Sequence, residues 1–377
     1  MRLRKLLIVL LALLVVFSLA GCGGSGGGGD DDNGGSNGDN GGNGGDNGGS
    51  GGDDDTPVVI PDDFVKVNGG TVSGQVADSH IFIEGRTVQI RDMYVCNHEV
   101  TQKEFKQYMK LYEWNTSIGG DYHSESQGSS GMGDNYPVFW TSWYSAVMYC
   151  NLRSIEEGLT PVYYITIDGK KETDIGKWFH KRNEWKTENG IIYFGYEDNK
   201  YYYCGADQGG DYGAICGDIT PNMDLEANGY RLPTEVEWEY IARGGNNGIP
   251  NVQYTYSGSD NPVGYVAGDG AVSPTGFEIE TKNPNTLGIY DMSGNAYEWV
   301  WDWFNDISAS TPATGPEATK QDSLGRLAGR TIRGGGHNIS YTGCKVDSRS
   351  YSMPGDLNGN VYDPGSGAGF RVVRNAD

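Results

Sequence analysis

Residues 285–303 read NTLGIYDMSGNAYEWVWDW, and no other stretch of the chain constrains its fold as much. Gly288 and Gly294 interrupt any regular period, Asp291 and Glu298 flank the second glycine, and Trp299, Trp301 and Trp303 follow directly. Neither an amphipathic helix nor an ordinary strand is written this way, so a tight turn carrying two acids is expected. A second constraint is YRLPTEVEWEYIARGG at residues 230–245. There Thr234 and Glu237 match a capping box and Gly244-Gly245 a helix stop.

Two further helices are expected. Residues 98–112 place Thr101 and Glu104 as a capping box before Phe105, Tyr108, Met109 and Tyr112. Residues 142–157 begin at Ser142 as cap and stop at Gly158. Strands are expected at residues 64–71 and 81–90, hairpins within 171–203, and two strands at RGGG (333–336) and GFRVV (369–373). Glycine supplies 60 of 377 residues, so most of the chain should be loop pinned on few helices and a small sheet.

The first 22 residues carry Arg2, Arg4 and Lys5, then an apolar run, then Leu19-Ala20-Gly21-Cys22. The run is shorter than the roughly 20 residues a bilayer core requires, and LAGC resembles a bacterial lipobox. A signal peptide at 1–22 with lipidation at Cys22 is expected. Residues 23–55 hold only Gly, Ser, Asn and Asp and have nothing apolar to bury, which predicts a disordered tether. Residues 56–377 then form one domain, with an insertion at about 160–225. Of the net charge of −22, +3 lies in the leader and −8 in the tether, which leaves −17 on the domain. That excess argues against a nucleic-acid partner. Any membrane attachment should come from the lipid, which places the protein in the cell envelope.

With Cys22 lipidated, Cys96, Cys150, Cys204, Cys216 and Cys344 remain. Cys204 and Cys216 bracket a Gly/Asp-rich loop and are the expected disulfide. Cys150 lies in a helical apolar pattern and should be a buried thiol. His80, His98, His123, His180 and His337 show no metal spacing and are read as surface or satisfied residues. Asp291 and Glu298 could converge with backbone carbonyls to offer the oxygens a hard cation takes, or could simply brace a turn. Residues 337–367 are rich in Asn, Ser, Tyr, Gly and Asp, as binding loops are, and as ordinary surface loops also are.

These segments, taken in order, resemble the sulfatase-modifying-factor or formylglycine-generating-enzyme domain. The matches are HEVT at 98–101; Pro137-Val138 with Ser142-Trp143, Ala146, Tyr149, Cys150 and Asn151; residues 230–245 and 284–301; RGG at 333–335; and GFR at 369–371. The resemblance implies an α+β, C-type-lectin-like fold, loop-rich with short strands. It also implies a structural calcium held by the side chains of Asp291 and Glu298 and the carbonyls of Gly294 and Ala296. The family's enzymes bind copper(I) between two cysteines. Here the later position is Cys344 and the earlier is Ile339, so the thiolate pair is incomplete and copper is not expected. The layout further resembles variable lectin-fold proteins of diversity-generating retroelements, whose C-terminal segment displays a binding surface. On that basis the expected function is non-catalytic binding of a protein or glycan. The contacts would be His337, Asn338, Ile339, Ser340, Tyr341, Ser350, Tyr351, Leu357, Asn358, Asn360 and Tyr362. The alternative is a formylglycine-generating oxidase that draws a second thiolate from Cys96 or Cys150.

Overall fold

In the computed structural model the first and last strands of the domain lie in one sheet and share a neighbour. Strand β1 (Phe64–Val67) and the closing strand β17 (Val373–Asn375) both pair antiparallel with β4 (Met93–Cys96), and β12 (Tyr230–Arg231) pairs with β17 beyond them. The structure describes residues 59–109, 133–139, 141–174, 221–245, 253–267, 277–316, 329–337, 339–352 and 368–376, together with four short strands between 186 and 201. Val58–Asp377 form one compact unit. The expected leader with Cys22, the expected tether, and Cys204 and Cys216 lie outside the described residues.

Three helices are present among the described residues, each beginning at the hydroxyl the sequence singles out. Helix α1 (Gln102–Tyr108) carries the complete Thr101–Glu104 capping box. Helix α2 (Trp143–Glu156) starts where the Ser142 hydroxyl accepts from Ser145 N, and α3 (Glu235–Ala242) carries the Thr234–Glu237 box. One core surrounds α2, with Phe105, Trp143, Tyr149, Trp299 and Phe370; the other surrounds α3, with Val88, Trp238, Ile241 and Val300. Cys150 is buried in the first core as a free thiol.

The strands depart more from expectation. The run at 64–71 divides into β1 and β2 (Gly70–Ser73), because Gly69 N donates to the Asp92 side chain instead of continuing a ladder. Only β3 (Thr87–Ile90) forms from 81–90, and it pairs with β2. A small sheet joins β5 (Tyr163–Ile167), β6 (Lys170–Glu172) and β11 (Asn222–Met223). Hairpins β7–β8 (Lys186–Glu188, Ile191–Tyr193) and β9–β10 (Tyr196–Glu197, Lys200–Tyr201) occupy the stretch where hairpins were expected.

The second large sheet has the order β15 (Ser350–Ser352), β14 (Arg330–Arg333), β13 (Tyr297–Trp303), β16 (Ala368–Gly369). Its centre is β13 (Tyr297–Trp303), so the tryptophan run is a strand after all. It lacks alternation because it is buried on both faces, with Trp143 Nε1 of α2 donating to Val300 O and Trp238 of α3 reaching Glu298. Its neighbours are β14 (Arg330–Arg333), antiparallel, and β16 (Ala368–Gly369), parallel. The RGGG motif is not a strand. β14 ends at Arg333, and Gly334 and Gly335 follow at φ +89° and +78°, a backbone region closed to a ladder. The long excursion beyond it contains a 3-10 turn (Tyr341–Gly343) and β15 (Ser350–Ser352), which pairs with β14.

Candidate functional site

The turn leading into β13 gathers three buried carboxylates. Asp291, Gly294 and Asn295 all take positive φ (+55°, +93° and +61°), which folds the chain sharply. At Gly294 a Cβ would lie 2.5 Å from Ala267 O, so only glycine fits. Ala267 grips the turn from both sides, donating to Ser293 O and accepting from Asn295 N, while Gly294 N donates to Gly334 O. Glu298, the second residue of β13, is fully buried. Its Oε1 accepts from Arg371 Nη2 at 2.6 Å, and its Oε2 accepts from Arg371 Nε at 2.7 Å and Trp238 Nε1 at 2.8 Å. Asp291 Oδ2 accepts from Glu280 N, whereas its buried Oδ1 has no hydrogen-bond partner.

The third carboxylate, Glu99, belongs to the HEVT segment that carries the resemblance, but the sequence reading gave it no role in the site. It is fully buried and accepts from Asn295 Nδ2 at 2.6 Å and Ala296 N at 2.9 Å, so it bonds directly to the turn. It lies 196 and 197 positions from those partners, and no local pattern announces it. Burial, reinforced by the charges of Asp291 and Glu298, holds the Glu99 carboxyl well above the usual range. Burial likewise pushes Asp291 up to about 6, against the opposing pull of Arg371. Three acids thus face one guanidinium. A carboxylate has about four lone-pair sites. Glu298 therefore retains one and Asp291 more, in a cluster where negative charge is in excess. This is the donor chemistry of a hard, oxygen-seeking cation.

A second feature lies on the C-terminal side. Arg333, buried at the end of β14, donates to the carbonyls of Val346, Asp347 and Ser348 and to Glu239 of α3, fixing the 346–348 loop to that helix. Arg349 holds Glu235 with two bonds, of 2.7 and 2.8 Å. Between this loop and the segment after β13 runs an open groove of about 590 Å³, lined by His80, Phe304, Asp306, Ile307, Thr342, Lys345, Asp347, Ser348 and Arg349. Tyr351, 37% exposed, stands beside it with its ring 4.9 Å from that of Phe304.

The structure divides the expected contact residues. Ser340 is exposed, and Ser350 is half-buried next to Tyr351 on β15. Tyr341 and Ile339 turn inward and pack against Tyr256, Val266 and Cys344. His337 is tied to Asn295 O through its backbone N and its Nδ1. Asn338, Leu357, Asn358, Asn360 and Tyr362 lie outside the described residues. Phe304, Ile307 and His80 line the groove although the sequence reading did not select them. Their signal is three-dimensional, since they come from distant parts of the chain.

A profile of the sulfatase-modifying factor enzyme 1-like domain matches residues 54–376. The chain belongs to that family. A chaperone protein, LppX, of Paenibacillus barcinonensis is 33% identical over 332 residues, covering 84% of this chain and 90% of the relative. The formylglycine-generating enzyme of Streptomyces coelicolor is 32% identical over 167 residues, covering 40% of this chain and 48% of the enzyme. Among solved structures, Treponema denticola variable protein 1 superposes with a TM-score of 0.57 at 24% identity, covering 83% of this chain and 94% of that protein. CarF does so with a TM-score of 0.50 at 23% identity, covering 85% and 100%. These structures establish the C-type-lectin-like fold of formylglycine-generating-enzyme type.

Within this sulfatase-modifying-factor domain, Cys344 is fully buried and burial pushes its thiol up to about 12. Its neighbours are the carbonyls of Gly336 and Ile339, at 3.9 and 4.0 Å, and the Ile339 side chain. Cys96 and Cys150 belong to a different core cluster.

Proposed function

We propose that this chain is a lipid-anchored cell-envelope protein whose domain binds a protein or glycan ligand and does not catalyse. The observation carrying this reading is the open groove beside Tyr351 and Phe304, whose lining combines aromatic, apolar and charged groups. Tyrosine presents a large, rigid contact surface at low ordering cost. The LppX relative, described as a chaperone, favours a polypeptide ligand. The LAGC leader supports anchoring, and Ile339 in place of a thiolate speaks against copper(I) chemistry. Calcium would be held by Asp291 and Glu298 through their side chains and by Gly294 and Ala296 through their carbonyls. There it would offset the excess negative charge and lock the turn.

The test is binding of a chemically unfolded model polypeptide, and of a glycan array, to the full chain in detergent. Tyr351→Ala should weaken the observed interaction at least about tenfold, or roughly 1.4 kcal/mol, without moving the melting temperature. Unchanged affinity would remove the groove from consideration. In parallel, a sulfatase-motif cysteine peptide is incubated with the chain, copper(I) and oxygen and read by mass spectrometry. Conversion to the aldehyde would overturn the non-catalytic reading.

A further inference from the structure

Beside the β1–β4 ladder, three side chains of different donor type converge. Asp63 immediately precedes β1, Cys96 ends β4 opposite Phe64, and His98 follows two residues later. Asn97 N donates to Asp63 O at 2.8 Å and Cys96 N to Val372 O at 3.0 Å, so the backbone fixes all three positions. One ligand atom from each residue lies within 4.8 Å of the other two. Cys96 Sγ stands 3.8 Å from Asp63 Oδ2 and 3.8 Å from His98 Nδ1, and His98 Nε2 stands 3.5 Å from Asp63 Oδ2.

The His98–Asp63 separation is long for a charge-assisted hydrogen bond, which runs to about 2.7–2.9 Å. With Nε2 as the ligand atom, the Cys96–Asp63 separation of 3.8 Å and the His98–Asp63 separation of 3.5 Å are close to two edges of a tetrahedron around one metal ion. Bonds of about 2.3 Å to sulfur and 2.0–2.2 Å to nitrogen and oxygen give edges of roughly 3.4–3.7 Å. The histidine is also oriented as a ligand. Its Nδ1–H donates to Glu99 O at 2.7 Å, which fixes the tautomer and leaves Nε2 toward Asp63. A backbone carbonyl holding the far nitrogen is the usual support for a metal-bound imidazole.

We infer that Asp63, Cys96 and His98 form a binding site for a borderline divalent cation of the zinc class, distinct from the calcium-type carboxylate cluster. One sulfur, one nitrogen and one oxygen are too soft for calcium or magnesium and suit zinc or cobalt(II). The Asp63 side chain is 32% exposed, whereas Cys96 is fully buried and His98 nearly so. The ion therefore enters past Asp63, and its fourth position opens to water on that side. Binding releases the Cys96 thiol proton and any proton on His98 Nε2, so the thiolate and the carboxylate balance the dication. The competing occupant is a proton shared between His98 and Asp63. Glu104, 4.0 Å from His98 Nδ1, adds negative charge, and Arg153 near Asp63 opposes it. The site ties the domain's first strand to its neighbour and owes nothing to the groove.

The full chain, in detergent and with calcium in excess, is titrated with zinc alone by calorimetry and with cobalt(II) by absorbance. One equivalent of zinc should bind, and cobalt(II) should give tetrahedral visible bands with a thiolate charge-transfer band in the near ultraviolet. Cys96→Ser should abolish the charge-transfer band, while Cys150→Ser and Cys344→Ser retain it. Asp63→Asn, at a partly exposed position that leaves the core intact, should weaken zinc at least about tenfold while keeping the band. Failure of the wild-type chain to take up one equivalent, a cobalt spectrum without thiolate, or unaltered zinc affinity in folded Asp63→Asn would overturn the assignment. If Cys96→Ser does not fold, the Asp63→Asn titration decides alone.

Discussion

Glu298 shows how much one residue of this family's signature carries. It anchors Arg371, receives Trp238 and faces both Asp291 and Glu99. Replacing one partner of such a buried pair strands the other charge. Glu298→Gln should therefore cost about 3 kcal/mol, measured by denaturant unfolding with and without calcium. Wild-type protein should gain melting temperature with added calcium, since a ligand confined to the native state stabilises it, and the variant should lose that gain. An equal calcium response in both would exclude Glu298 from the ligand set. Asp291 and Glu298 could be selected from sequence because a short turn presents them together, and the family resemblance adds the carbonyls of Gly294 and Ala296. Glu99 could not, because its relation to the turn exists only after β13 and the 98–101 segment have packed. The same holds for Asp63, which joins Cys96 and His98 only through the β1–β4 register.

At the scale of elements, helices were far more legible than strands. A helix start is encoded within four residues, and Thr101, Ser142 and Thr234 each cap the helix expected of them. The Thr234 box also has a tertiary role, since Glu237 bonds Arg231 through both oxygens. Thr234→Ala should lower stability by about 1 kcal/mol, seen as a shifted urea midpoint with unchanged slope. A shift under a quarter of that would mean Arg231 alone holds the helix start. Strand ends depend on partners elsewhere. The 64–71 run breaks where Asp92 takes the Gly69 N–H, and β14 stops before the glycines that turn toward Cys344. The Tyr297–Trp303 strand was obscured because burial on both faces erases the period of two.

Across the whole molecule, a loop-rich chain must supply donors to buried carbonyls that no ladder satisfies. Arginine does this here. Arg86 donates to Ile81 O, Thr311 O and Pro312 O, and Arg333 and Arg371 each bond buried carbonyls as well as carboxylates. The accompanying acids give a global pH dependence. Burial, with Glu235 alongside, pushes Asp302 up to about 8. The folded protein then keeps a proton that the unfolded chain releases near pH 4, so this contribution to stability falls as pH rises from about 4 to about 8. Asp302→Asn retains an acceptor for Glu235 N and should flatten that decline in melting temperature between roughly pH 5 and 8. Parallel profiles for the two proteins would show that Asp302 ionises as an exposed acid does. The sequence by itself determined the family, the three helix starts and the turn before β13, because each is written in contiguous residues. Only the tertiary structure decided which acids face one another, which contact residues turn inward and where Asp63 meets Cys96 and His98. Those relations join positions far apart in the chain, and they exist only once the strands have paired.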